Sequence, residues 1–328
     1  MFLQTTSENF IANPPEGGCD GFLQEVIQGL SRPQKTLPAK YFYDLEGSGY
    51  FDQICRLEEY YPCRTEMALL PTVAAELREM FTGSMEEGLN VVEFGAGSLQ
   101  KIALLSEAIP FFRRYIPIDI CEAHLRASTR LLMKQHPHLE VHPLVADFTD
   151  EISLLELPGR SMGFFPGSTI GNFFPDEAIG FLRRVREALG HNNYLLIGVD
   201  TKKDPAILHS AYNDQQGVTA RFNKNILARI NRELDGDFDL SRFAHKAWYN
   251  ETLGRVEMHL RSQVNQSVHV GMERFYFHEG ETIHTECAYK YHPDEFARLA
   301  AMAGWITVKR WMAADNLFSV FLLGCPTA

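Results

Sequence analysis

Four short runs in this sequence carry side chains suited to a nucleotide-like ligand. Val92-Glu93-Phe94-Gly95-Ala96-Gly97-Ser98 places glycines directly after an apolar stretch. A bare backbone there can approach a ligand closely and aim helix N–H groups at it. Asp119 closes Ile116-Pro117-Ile118, where a carboxylate can accept from both hydroxyls of a ribose. Asp147-Phe148 offers an acceptor for an adenine amino group and a ring to flank the base, and Gly167-Ser168-Thr169-Ile170-Gly171-Asn172 follows a further apolar run. As a dinucleotide fingerprint the first run fails, because Gln100 stands where GxGxxG needs its third glycine, which disfavours a nicotinamide oxidoreductase. Each aspartate alone reads equally as a helix cap or a surface charge. The set in register points to a ligand.

Positioning these residues requires a regular frame. Short apolar strands at Val91–Phe94, Tyr115–Ile118, Val141–Val145, Met162–Phe165 and Tyr194–Val199 alternate with helical patterns at Leu99–Ala108, Ala123–Lys134 and Asp176–Leu189. That rhythm signals βαβ units and a largely parallel sheet covered on both faces, with ligands beyond the carboxyl ends of its strands. Before it come a loop at Asn13-Pro14-Pro15-Glu16-Gly17-Gly18, a short helix at Leu23–Leu30, an aromatic, turn-rich block at Leu37–Pro62, and a helical pattern from Thr65. After Asp200 the rhythm breaks into a polar helical segment, Gln216–Leu234, and strand-like runs at Arg255–Ser262 and Gly271–Phe277. A helix at Pro293–Ala303 and strands at Trp305–Lys309 and Leu317–Leu323 end the chain. The expected organisation is an α/β core of residues 64–202 and 289–328 with a second lobe of residues 1–63 and 203–288.

Composition narrows the function classes. With 31 Lys+Arg against 42 Asp+Glu, the 328 residues carry a formal charge of −11, which disfavours nucleic acid and anionic membrane as partners. The N-terminus lacks a basic segment followed by an apolar core, and no apolar stretch reaches the ~20 residues of a membrane span. Six cysteines without a CxxC pair read as reduced thiols in a cytoplasmic protein. No HExxH or Cys/His cluster has metal spacing, so no metal site is expected. The chain is expected to act as a monomer.

Two longer stretches carry a more specific likeness. Leu57-Glu58-Glu59-Tyr60-Tyr61-Pro62-Cys63-Arg64-Thr65-Glu66 and Phe165-Pro166-Gly167-Ser168-Thr169-Ile170-Gly171-Asn172 are accompanied by Tyr41-Phe42-Tyr43-Asp44, Ala211-Tyr212-Asn213-Asp214 and Thr285-Glu286. In order, over about residues 36–325, they resemble the L-histidine Nα-methyltransferases of the ergothioneine pathway. The acidic residue before the GxG turn likewise resembles the first motif of class I S-adenosylmethionine-dependent methyltransferases. The resemblance implies an α/β, Rossmann-like methyltransferase sheet with a substrate lobe made from the N-terminal segment and a late insertion. It implies S-adenosylmethionine held by Glu93, Gly95, Gly97, Lys101, Asp119, Asp147, Phe148 and Thr169. It implies free L-histidine as substrate, methylated up to N,N,N-trimethylhistidine (hercynine). Asn172 and Tyr212 would hold the amino-acid backbone beside Gly167, Tyr43 would lie at the amine, and Tyr60, Met258 and Glu286 would serve the imidazole.

The residues suit that chemistry. Methyl transfer from a sulfonium to a neutral amine is an in-line displacement, so positioning and desolvation are the main tasks. Aromatic faces suit a growing quaternary cation. A buried carboxylate accepting an imidazole N–H gives selectivity, since a ligand without that donor leaves it unpaired. One departure stands out: Ala288 occupies a position where the mycobacterial pattern has a serine at the imidazole. Another free amino acid, tryptophan first, and a non-catalytic S-adenosylmethionine-binding module are the alternatives. Tyr41, Phe42, Tyr50 and Tyr61 read as core packing, Glu58, Glu59 and Glu66 as solvated or capping charges, and Arg64 as a ligand of loop carbonyls or of Glu66. Cys63 and Cys287 are assigned no chemistry.

Overall fold

Alternating apolar strands and helices between residues 89 and 200 demand a sheet buried on both faces. The computed structural model, which describes residues 18–83, 88–97, 99–150, 154 and 159–325, has one. Ser98 of the glycine run and residues 13–17 of the breaker cluster lie outside the described residues. Across the sheet run Ile306–Met312, Phe318–Gly324, Tyr194–Asp200, Arg160–Phe165, Leu89–Phe94 and Phe112–Asp119, with Glu140–Val141 and Leu144–Val145 end to end at the far edge. All strands from Tyr194–Asp200 to that edge are parallel.

Strand order reverses between Leu89–Phe94 and Arg160–Phe165, which makes that junction the switch point where Rossmann-like sheets open a crevice. The chain is an α/β protein of that Rossmann-like class. The single third strand expected at Val141–Val145 is instead split, because Pro143 has no N–H to give the ladder. The last two strands pair antiparallel, since the short connection at 313–317 cannot make a crossover. Along Phe318–Gly324, Phe321 and Leu323 pack into one flanking core and Val320 and Leu322 into the other, the two-residue period of a strand buried on both faces.

A separate core joins Phe22, Val26 and Phe42 to Phe222, Ile226, Leu260 and Ile283. Behind it lies a four-stranded sheet, Lys35–Thr36, Thr282–Tyr289, Arg255–Ser262 and Phe243–Asn250 in that order. The helix Val218–Glu233 buries Val218, Phe222, Ile226 and Ile230 at four-residue steps. Its buried Asn225 donates to Asp44 Oδ1 at 2.8 Å, and Asn223 donates to the His259 carbonyl at 3.1 Å.

Part of the turn-rich block is in fact helical, at Leu45–Ile54. Gly47 there permits a close approach, because a Cβ would fall 1.7 Å from the Phe42 carbonyl oxygen and 2.9 Å from Asn225 Nδ2. The helix expected from Thr65 starts earlier, running Tyr61–Phe81 with Pro62 in its first turn.

Candidate active site

Backbone hydrogen bonds bring the glycine edge together. The N–H groups of Gly95 and Ala96 both donate to the Ile118 carbonyl, at 2.9 and 3.0 Å, and Ala146 N–H donates to the Asp119 carbonyl at 3.1 Å. Gly95, Asp119 and Asp147 thus line up at the carboxyl ends of adjacent strands. Gly95 has φ +74°, and a Cβ on it would lie 3.1 Å from Phe148 Cε1, while one on Gly97 would meet open space. The Phe148 ring stands edge-on to Phe165 and Phe181. Asp119 accepts from Cys121 N–H at 2.8 Å, and burial pushes its carboxyl up to about 6. Asp147 accepts from the N–H and hydroxyl of Thr149 and pairs with Lys40 at 3.2 Å. Glu93 is buried beneath, hydrogen-bonded by the Tyr115 hydroxyl, and burial pushes it up to about 8. Open space at Gly97, a flat ring and two carboxyls fit a nucleoside.

Substituting alanine at Gly95 is expected to cost about 1–2 kcal/mol, because an L side chain resists positive φ and Phe148 must shift. Thermal unfolding measures it, and an unchanged melting temperature contradicts it.

Glu66, expected at the surface, is fully buried. Its Oε2 accepts from Lys101 at 2.5 Å and from Gly167 N–H at 2.8 Å. Lys101 therefore turns its ammonium to Glu66; burial opposes that charge, but the carboxylate outweighs it and holds the pKa above its ordinary value. This tie fixes the Gly167 turn, where Gly167 (φ +76°) and Ser168 (φ +58°) both adopt left-handed backbone. Arg64 instead serves loop carbonyls, at Leu57 and Glu58.

Beside that turn opens a cavity of about 570 Å³, counted out to its solvent mouth. Tyr43, Tyr60, Gly167, Asn172, Tyr212, Met258, Glu286 and Ala288, the whole expected substrate set, line it together with Thr169. They arrive from several supports. Tyr43 ends the 3-10 turn Ala39–Phe42, and Asp44 behind it caps Leu45–Ile54 and bonds Asn225. Tyr212 ends the helix Pro205–Tyr212, and Asp214 accepts from Val218 and Thr219 N–H, starting the next helix. Glu286 faces Met258 across the antiparallel ladder, and Ala288 lies two residues on along the same face. Thr285 points the other way, onto Asn223 Oδ1 at 2.7 Å.

Aromatic rings line one side. Tyr43 stands edge-on to Phe51 and Phe222, and Tyr60 edge-on to Phe51 and Tyr212. Burial, then the charges of Glu286 and Asp119, push the Tyr43 phenol well above its ordinary value, so it stays protonated at neutral pH. Asp119 belongs to the glycine edge, so the two regions feel each other's charge. Burial also pushes Glu286 up to about 7, with Lys290 pulling it back.

Three charged residues near the cavity escape a sequence reading. Asp200 is fully buried at the end of its strand, with its oxygens on the Tyr61 hydroxyl at 2.6 Å, Lys290 at 2.8 Å, and Lys203. Burial opposes its charge, yet the two lysines hold it below the usual carboxylate range. The only hint in the sequence is an aspartate ending an apolar strand. Glu257, His259 and His284 also bring ligand-type atoms within 4.8 Å of one another from two strands. The two imidazoles stack at 4.8 Å, however, and Arg255 already holds the Glu257 carboxylate at 2.8 Å.

The chain is similar in sequence to known proteins. The sequence profile of one family, described as "Histidine-specific methyltransferase, SAM-dependent", matches residues 22–325. The chain is 36% identical over 304 residues to a histidine N-alpha-methyltransferase of Mycobacterium tuberculosis (strain CDC 1551 / Oshkosh), covering 91% of this chain and 93% of that protein. It is 36% identical over 319 residues to a histidine N-alpha-methyltransferase of Mycolicibacterium smegmatis, covering 96% and 97%. Ergothioneine biosynthesis protein 1 of Neurospora crassa is 29% identical over 331 residues, 92% of this chain and 35% of that longer protein.

Proposed function

Because this chain belongs to the S-adenosylmethionine-dependent, histidine-specific methyltransferase family, we propose that its cavity holds L-histidine with the α-amine toward the glycine edge and the imidazole toward Glu286. The protein is an enzyme that methylates the α-amino nitrogen of L-histidine, a reaction that runs to the trimethyl stage. What supports the placement is the convergence of Tyr43, Asn172, Tyr212 and Glu286, far apart in the chain, on one hollow.

S-adenosylmethionine supplies a methyl group on a sulfonium; Glu93, Gly95, Gly97, Asp119, Asp147, Phe148 and Thr169 would hold it, and Lys101 supports them through Glu66. Asp119 and Asp147 would offer acceptors to ribose and adenine, and Phe148 would flank the base. Asn172 and Tyr212 take the carboxylate end of histidine. Tyr43, a phenol at neutral pH, is no base; the amine passes its proton to water before each transfer. The Tyr43 oxygen accepts a remaining N–H in the first two and so orients the nitrogen lone pair. The tertiary amine of the third, which has no N–H, is placed by the surrounding rings. The rings of Tyr43, Phe51, Tyr60 and Phe222 suit the cation that forms on the nitrogen. Glu286 accepts the imidazole N–H, and Met258 packs against the ring. Ala288 offers only a methyl there, leaving Glu286 the stronger determinant.

In this reading residues 64–202 and 289–328 form the cofactor-binding domain, which also lends Gly167 and Asn172 to the substrate cavity, and residues 1–63 and 203–288 form the substrate lobe, in line with the separate hydrophobic cores. The reading takes the protein as a monomer acting in the cytoplasm. No helix among the described residues is long and apolar enough to cross a membrane.

Mass spectrometry of L-histidine incubated with protein and S-adenosylmethionine tests the function, with the trimethylated product expected. Tryptophan in competition should leave that product dominant. No methylated histidine, with all common amino acids tried, contradicts the assignment.

A further inference from the structure

Lys290 is a buried ammonium, its side chain 2% exposed, on the wall of the substrate cavity. Its Nζ lies 2.8 Å from Asp200 Oδ2 and donates to the Tyr212 hydroxyl at 3.0 Å. Asp200 is already well served without it. The Tyr61 hydroxyl donates at 2.6 Å, Thr201 N–H at 2.9 Å, and Lys203 pairs with the other carboxylate oxygen. Burial lowers the Lys203 pKa to about 8, which still leaves it charged at pH 7. Two ammonium groups thus meet one carboxylate there, and this corner holds a surplus positive charge in a setting where burial makes unpaired charge costly.

That surplus has a direction. Lys203 is not on the cavity wall, whereas Lys290, Asp200 and Tyr212 all are. A tyrosine oxygen that accepts from Lys290 keeps its own hydrogen free to donate elsewhere. Burial raises the Tyr212 pKa, so that hydrogen stays in place at neutral pH. A ligand anion in the cavity would receive the hydrogen and balance the charge together.

We propose that Lys290 is a positioning and specificity residue, which orients the Tyr212 hydroxyl and supplies the counter-charge that selects an α-amino acid over the corresponding amine. The assignment rests on the reading of the cavity as the amino-acid site. It divides the cavity by charge: Lys290 and Tyr212 answer the carboxylate, and Glu286 answers the imidazole.

The test compares KM for L-histidine with the inhibition constant of histamine, which has the same ring and amine without the carboxylate. Lys290→Met is expected to raise KM for histidine about 10- to 100-fold, the range for a hydrogen bond to a charged group, and to move the histamine constant less than about threefold. Lys290→Gln, which keeps a donor for Tyr212 but no charge, is expected to fall between, and it carries the test if Lys290→Met does not fold. Lys203→Met shares the Asp200 partner but not the cavity wall, and should change histidine KM less than about threefold. Equal losses on both ligands, an unchanged ratio, or a Lys203→Met variant that mimics Lys290→Met overturns the proposal. Parent protein that does not methylate histidine overturns the functional reading itself, and this assignment with it.

Discussion

Replacing Glu286 with glutamine is expected to cut kcat/KM for L-histidine about 10- to 100-fold and, at pH 8, to raise the melting temperature of the ligand-free protein. Both effects come from one buried carboxyl. Burial pushes it up to about 7 against an ordinary value of 4.5, and Lys290 only partly pulls it back. Below pH 4.5 the group is protonated whether folded or unfolded, and it does not affect stability. As pH rises from 4.5 to 7 the unfolded chain ionises first, so stability is lost across that window and stays lost above it. The full penalty is about 3 kcal/mol, lessened by water that reaches the cavity. Glutamine is neutral throughout and escapes it. Melting curves of the two proteins should therefore converge near pH 4.5 and separate by pH 8. Histidine KM should rise because an amide is a weaker acceptor for the imidazole N–H than a carboxylate. Parallel curves, or unchanged KM, contradict the role given to Glu286. The site gains its selectivity for a ring donor by holding an acceptor the empty protein would rather not ionise.

Glu66→Ala is expected to cost about 3–5 kcal/mol, the largest stability loss among the changes considered. The substitution strands the Lys101 ammonium, whose side chain is 14% exposed and whose Nζ sits 2.5 Å from Glu66 Oε2. It also removes the acceptor of Gly167 N–H. Against a typical domain stability of about 5–15 kcal/mol, such a loss should appear as a strongly lowered denaturant midpoint. A Glu66→Gln, Lys101→Met double variant removes both charges while keeping an acceptor for Gly167. It should recover much of the loss, since a buried pair replaced as a unit is often close to neutral. Equal destabilisation of both variants contradicts the stranded-charge account. The tie also explains a glycine in the adjacent strand, because a Cβ on Gly198 would sit 2.2 Å from Glu66 Oε1.

The core from residue 89 to 200 was legible because its strands are short apolar runs and its helices repeat at three and four residues, with each boundary near a loop signal. The glycine turn was legible because glycine after a strand has a backbone meaning of its own. The substrate lobe was less so. Strands Phe243–Asn250 and Thr282–Tyr289 carry His, Lys, Thr and Glu among their apolar residues, and neither reads as a strand by itself. The helix Leu45–Ile54 contains glycines that lower its propensity, and its packing against Val218–Glu233 outweighs them.

Sequence by itself determined the fold class, the glycine edge and the residue types of the substrate set, because periodicity, turn chemistry and motif are local properties of the chain. Tertiary structure alone decided that Glu66, Asp200 and Lys290 are buried charges, and that Lys101 answers a carboxylate. A charged side chain reads as solvated until a partner is known to stand against it, and Lys101 and Gly167 lie 35 and 101 residues from Glu66 and Lys290 far along the chain from Asp200. Only folding brings them within hydrogen-bond reach, where low dielectric makes each pairing matter.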